Sequence, residues 1–502
     1  MGLTRGVLRM LPLLLVALGA AGALLLTGSV SAWWWCAAGP LLALTALGGR
    51  DLAQRRDSVL RNYPLTGRPP LLVHERAGGA GAGLPFGTER DVYADGHEFL
   101  EPSVRPVEMP DEPPVVRVGG PDCTQPYDMA LLNVSAMSFG ALSPNAVLAL
   151  NRGAALGRFA HDTGEGGLSD HHLRGGGDLI WEIGTGYFGC RTPEGGFEAR
   201  EFADKAALPE VKCVSLKLSQ GAGPGTGGVL PGAKVNAEIA RARGVPEGRT
   251  VVSPPCHRVF STPRELVRFI ARMRELAGGK PTGFKLCVGS RRQFLAVCKA
   301  MLAEGVTPDF IVVDGSEGGT GAAPTEFAGT VGTPLTEGLI TVHNALVGTG
   351  LRDRVRIGAS GGIATGSDIV RRLLQGADYT NAARAMMSAV GCVQARRCHT
   401  NTCPAGVATQ DPLRVRALDV ADKSERVRRF QYATVRGATQ IMAAMGVRDP
   451  GELTPHRLLR RVGPTTVRSY AELYEWLAPG VLLAEPPPDW AADWAAADPD
   501  SF

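Results

Sequence analysis

The sequence predicts an α/β protein: a (β/α)8 TIM barrel preceded by an N-terminal transmembrane helical hairpin. Three observations carry that expectation. From about residue 121, short apolar runs rich in β-branched residues alternate with segments of helical period. Many of those runs end in Gly, Ser or Asn clusters, such as "SAMSFG", "VDGSEGGTG" and "ASGG". Ahead of them, residues 10–49 contain no charged side chain. Near-continuous apolar strands separated by helices belong to a parallel sheet covered on both faces, and so many repeats fit a closed barrel better than an open sheet.

The uncharged stretch is about twice the length one membrane helix needs. "GSVSA" at residues 28–32 interrupts it, giving spans near 8–27 and 31–49. Arg5 and Arg9 flank one end and Arg50, Arg55, Arg56 and Arg61 the other, while the connecting turn has no basic residue. The positive-inside rule then places both ends, and the catalytic domain after them, on the cytoplasmic side of the inner membrane. Trp33, Trp34 and Trp35 fall where amphipathic rings favour the outer interface. The competing readings are a signal peptide cleaved after "VSA", which the apolar stretch outruns, and a buried apolar helix pair.

Residues 51–120 are polar and Pro/Gly-rich, include "RAGGAGAGLPFG" at 76–87, and read as a juxtamembrane linker and lead-in. The barrel occupies 121–412, in strand-helix pairs such as "VKCVSLKLS" with "GAKVNAEIARARG" and "PTGFKLCVG" with "SRRQFLAVCKAMLAEG". Residues 413–480 carry Arg and Leu at helical spacing and read as packing helices; the acidic, Pro/Ala-rich stretch 481–502 reads as a disordered tail. With 44% hydrophobic residues in 502 there is material for a large core. The balance of 53 basic against 49 acidic residues gives no argument for a nucleic-acid partner. Most of the ten cysteines are scattered, several inside strand-like runs, as Cys213 and Cys287 are. They read as small hydrophobes of a reducing compartment.

The strand ends hold the candidate chemistry. Gly361 and Gly362 close the seventh strand, and "NAAR", with Ala383 and Arg384, closes the eighth. Loops after strands seven and eight are the usual phosphate cradle of a barrel, because free N–H groups and a helix dipole favour an anion; the plainer reading is tight turns without a ligand. Lys285 lies inside the apolar run "TGFKLCV", where a lysine is costly unless it reaches the mouth and meets an anion. Lys217 in "SLKLSQG" raises the same question, with Gln220 beside it; two such lysines point to a carboxylate substrate as well as a cofactor. Each lysine could instead snorkel out of its strand end. Glu165 in "HDTGEGGLSD" and Glu317 in "VDGSEGGTGAAP" are either acid/base groups or solvated loop carboxylates.

The segment "GCVQARRCHTNTCPAGVATQ" brings Cys392, Cys398 and Cys403 together with His399. The C-x5-C-x4-C spacing lacks the C-x2-C pairs usual for zinc. Pro404 directly after the last Cys is a feature of iron–sulfur loops. A cluster, a Cys3His zinc site and ligand-free thiols all stay open on spacing.

The motifs "LLNVSAMSFGALS", "HDTGEGG", "KLSQGAGPGTGGVLPGAKV", "SPPCH", "VDGSEGGTGAAP" and "CHTNTCPAGVATQ", in this order, resemble the FMN-binding synthase domain of glutamate synthase. With the apolar N-terminus and "DSVLRNYP", the chain is similar to a single-chain, membrane-anchored branch of that family. The resemblance implies FMN and a [3Fe-4S] cluster on Cys392, Cys398 and Cys403. It implies reductive amination of 2-oxoglutarate through 2-iminoglutarate, an activity on the CH–NH2 group of donors. By the same resemblance Lys217 and Gln220 hold the oxo-acid carboxylates, and Glu165 orients the amine or iminium. Ser135, Ala136, Met137 and Ser138 line the flavin ring, with Lys285 on its N1/O2 side. Glu317, Gly318 and Gly319 also belong to the flavin site, and Gly361, Gly362, Ala383 and Arg384 take the phosphate.

Four departures qualify the resemblance. The chain begins with the apolar hairpin where full glutamate synthases begin with a glutaminase domain, and it has no dinucleotide fingerprint. Electrons are therefore expected from a separate ferredoxin or reductase, and nitrogen from ammonia, an amine or a separate glutaminase. "TNAAR" stands where the family has a Gly-rich phosphate loop, and "SEGGTG" stands where it has "HDGGTG". An enzyme acting on another oxo or imino acid, as in N-methylglutamate formation, and a membrane-anchored flavin/iron–sulfur relay are the alternative expectations.

Overall fold

The computed structural model describes residues 2–66, 91–221, 223–319 and 323–502, with side chains from residue 9 onward. The glycine-rich stretch at 76–87 lies outside the described residues. The uncharged N-terminus forms two helices, α1 (Gly2–Ser29) and α2 (Trp35–Ala53), followed by the short α3 (Ser58–Asn62). The two long helices pack closely because glycines leave room: a Cβ on Gly48 would lie 2.3 Å from Leu13. Among the described residues one helix is long and apolar enough to cross a membrane, over Arg9–Ser29 with mean hydropathy 2.3. Its leucines point outward, Leu18 being 69% and Leu25 74% exposed. The second arm carries Arg50 and Asp51 near its end and does not meet the same test.

Eight parallel strands close the barrel in chain order: β1 (Leu132–Val134), β2 (His161–Asp162), β3 (Leu179–Ile183), β4 (Val211–Lys217), β5 (Thr282–Leu286), β6 (Phe310–Asp314), β7 (Arg356–Ser360) and β8 (Tyr379–Ala382). The last pairs with the first, Asn381 opposite Asn133. Several crossover helices start on a Ser or Thr cap that satisfies a free N–H of the first turn. They are α4 (Pro144–Gly157) on Ser143, α5 (Pro263–Leu276) on Thr262 and α6 (Arg291–Glu304) on Ser290. Then come α7 (Leu335–Gly348), α8 (Gly366–Leu374) on Thr365, and α9 (Arg384–Ala389). An antiparallel ribbon, Val115–Val118 with Tyr127–Ala130, closes the barrel floor. Its Val118 and Met129 pack against Ile180, Cys213, Phe310 and Tyr379 from the barrel interior. With the floor plugged, the open end is the C-terminal mouth.

The region after the barrel is more than packing helices. Helix α10 (Val420–Ala444) lies against α4 and α8. Glycine permits that approach, since a Cβ on Gly366 would sit 2.4 Å from the Ala438 nitrogen. Beyond it, Leu458–Arg461 and Val467–Ser469 form a small antiparallel sheet with Glu98–Leu100, so part of the lead-in is tied to the C-terminal region. The tail expected to be disordered is ordered instead. Helix α11 (Pro488–Ala496) docks on the barrel with Trp490 only 4% exposed. Arg291 stacks over Trp490 at 4.6 Å and pairs with Asp493 at 2.6 Å, Lys299 stacks over Trp494, and Arg264 pairs with Asp500. The acidic, aromatic composition that reads as solvated alone is complementary to basic residues on α5 and α6.

Candidate active site

At the mouth, the ends of β1, β6, β7 and β8 surround a cavity of about 350 Å³. Ser135 and Ala136, Gly318 and Gly319, Gly361 and Gly362, and Ala383 and Arg384 line it, with Lys285 and Gln220. Gly361 and Gly362 have φ of 143° and 67°, and a Cβ on Gly362 would meet no protein atom within 4 Å. Their backbone therefore faces open space where a ligand's phosphate could approach closely. Asn381, 1% exposed, presents an Oδ1 with no hydrogen-bond partner to the same region. Ser135 Oγ lies 3.2 Å from Ser360 Oγ, and Asp314 Oδ2 accepts from the Gly221 N–H at 3.0 Å.

Against that cavity lies a second, small one of about 20 Å³. Glu165, Lys217 and Gln220 line it together, and Gln220 is shared by both cavities. Lys217 Nζ donates to Glu165 Oε1 at 2.8 Å. Burial pushes the Glu165 carboxyl up, but the adjacent Lys217 and the Arg243 guanidinium outweigh it, and its pKa falls below the usual value. His257 Nε2 donates to the Lys217 carbonyl at 2.8 Å, and its Nδ1 lies 3.2 Å from the Tyr187 hydroxyl. This tautomer follows from the carbonyl, which can only accept. Burial brings the imidazole down to about 4, so it is neutral at physiological pH.

Lys285 emerges from β5 beneath the larger cavity and is fixed by an ion pair to Glu182 Oε2 at 2.9 Å, both residues being buried. Burial acts to lower the lysine's pKa; Glu182, Asp314 and Asp162 overcome it and raise the pKa, keeping the ammonium charged. Asp162 also shifts upward, well above the carboxylate range, through burial and then repulsion from Glu182. The inner end of the larger cavity thus sets Lys285 among three carboxyl groups, those of Glu182, Asp314 and Asp162.

The cysteine loop follows α9. Gln394 lines the large cavity, and its N–H points at Cys392 Sγ at 3.5 Å, so the loop abuts the cavity wall. Gln394, Arg396 and Asn401 all have positive φ (52°, 53° and 60°), a concentration of left-handed non-glycine residues found where a loop is held by its ligands. The three thiols lie within electrostatic reach of one another. Among the described residues no three His, Cys, Asp or Glu groups converge tightly enough to share a single metal ion. His399 is exposed.

Residues 123–448 match the model of the conserved region in glutamate synthase. The chain belongs to the glutamate synthase family. It is 43% identical over 354 residues to a glutamate synthase large subunit-like protein of Bacillus subtilis, covering 70% of this chain and 67% of that one. To an archaeal glutamate synthase [NADPH] of Methanocaldococcus jannaschii it is 33% identical over 332 residues, 66% of this chain and 62% of the relative. To a glutamate synthase [NADPH] large chain of Azospirillum brasilense it is 35% identical over 326 residues, 63% of this chain and 20% of the relative. The chain thus spans from about two thirds down to a fifth of the lengths of these relatives.

Within this member of the glutamate synthase family, most of the expected site residues converge. Glu165, Lys217 and Gln220 form one small cavity, and Ser135, Ala136, Lys285, Gly318, Gly319, Gly361, Gly362, Ala383 and Arg384 line the larger one. Met137, Ser138 and Glu317 do not line either cavity. Residues Met137 and Ser138 pack beneath Gly164, whose Cβ would lie 2.6 Å from the Ser138 nitrogen. The Glu317 carboxylate accepts from the Leu335 N–H at 3.0 Å and so caps α7, while its carbonyl accepts from Arg384 at 3.0 Å. Sequence reasoning passed over Asp314, Asn381 and His257. The first two occupy the same strand-end position as the residues singled out, which was the available signal; His257 closes the motif "SPPCH", but it acts through a neighbour's backbone and the motif gave it no role.

Proposed function

We propose that the protein is an FMN-dependent oxidoreductase of the glutamate synthase type that reductively aminates a 2-oxo acid, 2-oxoglutarate in the family's reaction. The observation that carries this reading is the pair of adjoining cavities sharing Gln220, one lined by Lys217 and Glu165 and the other open to glycine backbone. The larger cavity suits FMN: Gly361, Gly362, Ala383 and Arg384 for the phosphate, Ser135, Ala136 and the unpartnered Asn381 for the ring system. The three thiols suit a [3Fe-4S] cluster in the same way, beside the cavity wall at Gln394. Bound in reduced form, the flavin supplies two electrons to the substrate carbon.

The protein's residues do the rest. Lys217, its backbone held by His257, exchanges part of its pairing with Glu165 for the substrate carboxylate, and the Gln220 amide reaches the same group from the flavin side. Glu165, held ionised, binds the ammonium or iminium nitrogen as ammonia replaces the keto oxygen and water leaves. Lys285, neutralised by Glu182, offers its N–H donors beneath the cavity more than a free charge.

For localisation we propose that the hairpin α1–α2 anchors the protein in the membrane. The outward leucines of α1 and the three exposed tryptophans at the tip support it. The base of the hairpin is tied next to the cysteine loop: Asn62 donates to the Pro404 carbonyl at 2.9 Å, and Arg9 pairs with Asp411 at 3.2 Å. A separate reductase or ferredoxin, and ammonia from solution or from a separate glutaminase, complete the reaction. The test is reconstituted full-length protein given FMN, iron and sulfide, a chemical reductant, 2-oxoglutarate and ammonium. Glutamate formation supports the reading; flavin binding without turnover of any 2-oxo acid defeats it in favour of an electron relay.

A further inference from the structure

The cysteine loop is held by a residue outside it. Lys234, in the short turn Gly232–Lys234 between β4 and β5, is 1% exposed. Its Nζ donates to the carbonyls of Ala141 at 2.8 Å and Cys398 at 2.9 Å. The same turn is tied to the loop a second time, Asn401 Nδ2 donating to the Ala233 carbonyl at 3.1 Å. No carboxylate lies within ion-pair distance of Lys234 among the described residues, and the charged or ionisable groups acting on it are Cys398, Cys403 and Arg243. Two carbonyl dipoles satisfy two of the three ammonium N–H groups and leave the charge without a counterion. A buried cation without an anion is costly, and the site of an anionic ligand nearest to Lys234 is the loop whose Cys398 carbonyl it holds.

We propose that Lys234 is the counter-cation of a thiolate-bound iron–sulfur cluster, fixing the backbone of Cys398 and raising the cluster's reduction potential by its charge. The inference rests on the cluster reading above and adds a positioning residue to it. A positive charge beside an anionic cluster stabilises the reduced, more negative form. Without Lys234 the potential falls and the cluster becomes harder to reduce, while the flavin, in a separate cavity, keeps its own.

The test uses full-length protein reconstituted anaerobically, as wild type and as Lys234→Met, Lys234→Gln and Lys234→Arg. Iron per chain, EPR-monitored cluster potential and flavin potential are measured separately. The expected result is a downward shift of the cluster potential in Lys234→Met and Lys234→Gln, a value near wild type in Lys234→Arg, and an unmoved flavin potential. If Lys234→Met fails to hold the cluster, Lys234→Gln, which keeps an amide donor without charge, decides between tether and charge. A cluster potential in Lys234→Gln equal to wild type, or one that moves together with the flavin's, overturns the proposal while leaving the cluster reading standing. Wild-type protein that takes up flavin but binds no iron and gives no cluster EPR signal overturns both.

Discussion

The barrel mouth and the cysteine loop solve the same problem, a buried lysine, in opposite ways. At the mouth, Lys217 and Lys285 each have a carboxylate within 3 Å, at 2.8 Å and 2.9 Å. In the loop region Lys234 has only carbonyl oxygens. A paired lysine is settled before any ligand arrives, and its removal strands a carboxylate. An unpaired one leaves a net positive charge inside the protein, which a ligand of the opposite sign can balance. On the function proposed above, the mouth orients a substrate and the loop region accepts an anionic group.

That contrast can be attacked from its largest expected effect downward. Lys285→Met leaves Glu182 buried without its cation and should cost about 3–5 kcal/mol, read as a lower urea midpoint at unchanged slope. A loss below 1 kcal/mol would mean the pair is not the settled ion pair described. Lys217→Ala should lower turnover with the oxo acid by about 10²–10³-fold while flavin uptake stays intact; equal loss of flavin would show that the two cavities are not separate sites.

The third effect tests the imidazole behind Lys217. His257, down to about 4 through burial, binds fewer protons folded than unfolded between about pH 4 and 6.5. Its contribution to stability is therefore complete above the unfolded value and is lost as pH falls through that window, by about 3 kcal/mol at most. Urea midpoints measured from pH 7 to pH 4 should fall less steeply in His257→Phe than in wild type; parallel curves would show that the ring is not buried neutral. The smallest effect belongs to Lys234→Met in protein without iron. Two carbonyls lose a partner, but an unpaired buried charge goes with it, so the net cost should be at most about 1 kcal/mol, well below that of Lys285→Met, and a comparable cost would erase the distinction between the two regions.

The barrel was legible because its strands are apolar and its helices periodic. β2 escaped notice because it is two residues long, and β3 because Glu182 interrupts its apolar run. Both are explained only by a partner far along the chain, Lys285 in the case of Glu182. The site was legible where chemistry sits at a strand end, as with Lys217 and Gln220. The role was not legible where a residue acts through another's backbone, as His257 and Lys234 do, although both fall inside quoted motifs. Glu317, which the sequence leaves open between a reactive and a solvated loop carboxylate, caps a helix. The tail helix was hidden because its composition says nothing about Arg264, Arg291 and Lys299, which receive it.

The central claim is that flavin and oxo acid bind side by side across Gln220. The most direct test is titration of 2-oxoglutarate into FMN-reconstituted protein while the flavin absorbance is followed. A saturable spectral change in wild type that disappears in Lys217→Ala is the predicted result. Protein that takes up no FMN, or a flavin spectrum indifferent to any 2-oxo acid, would contradict it.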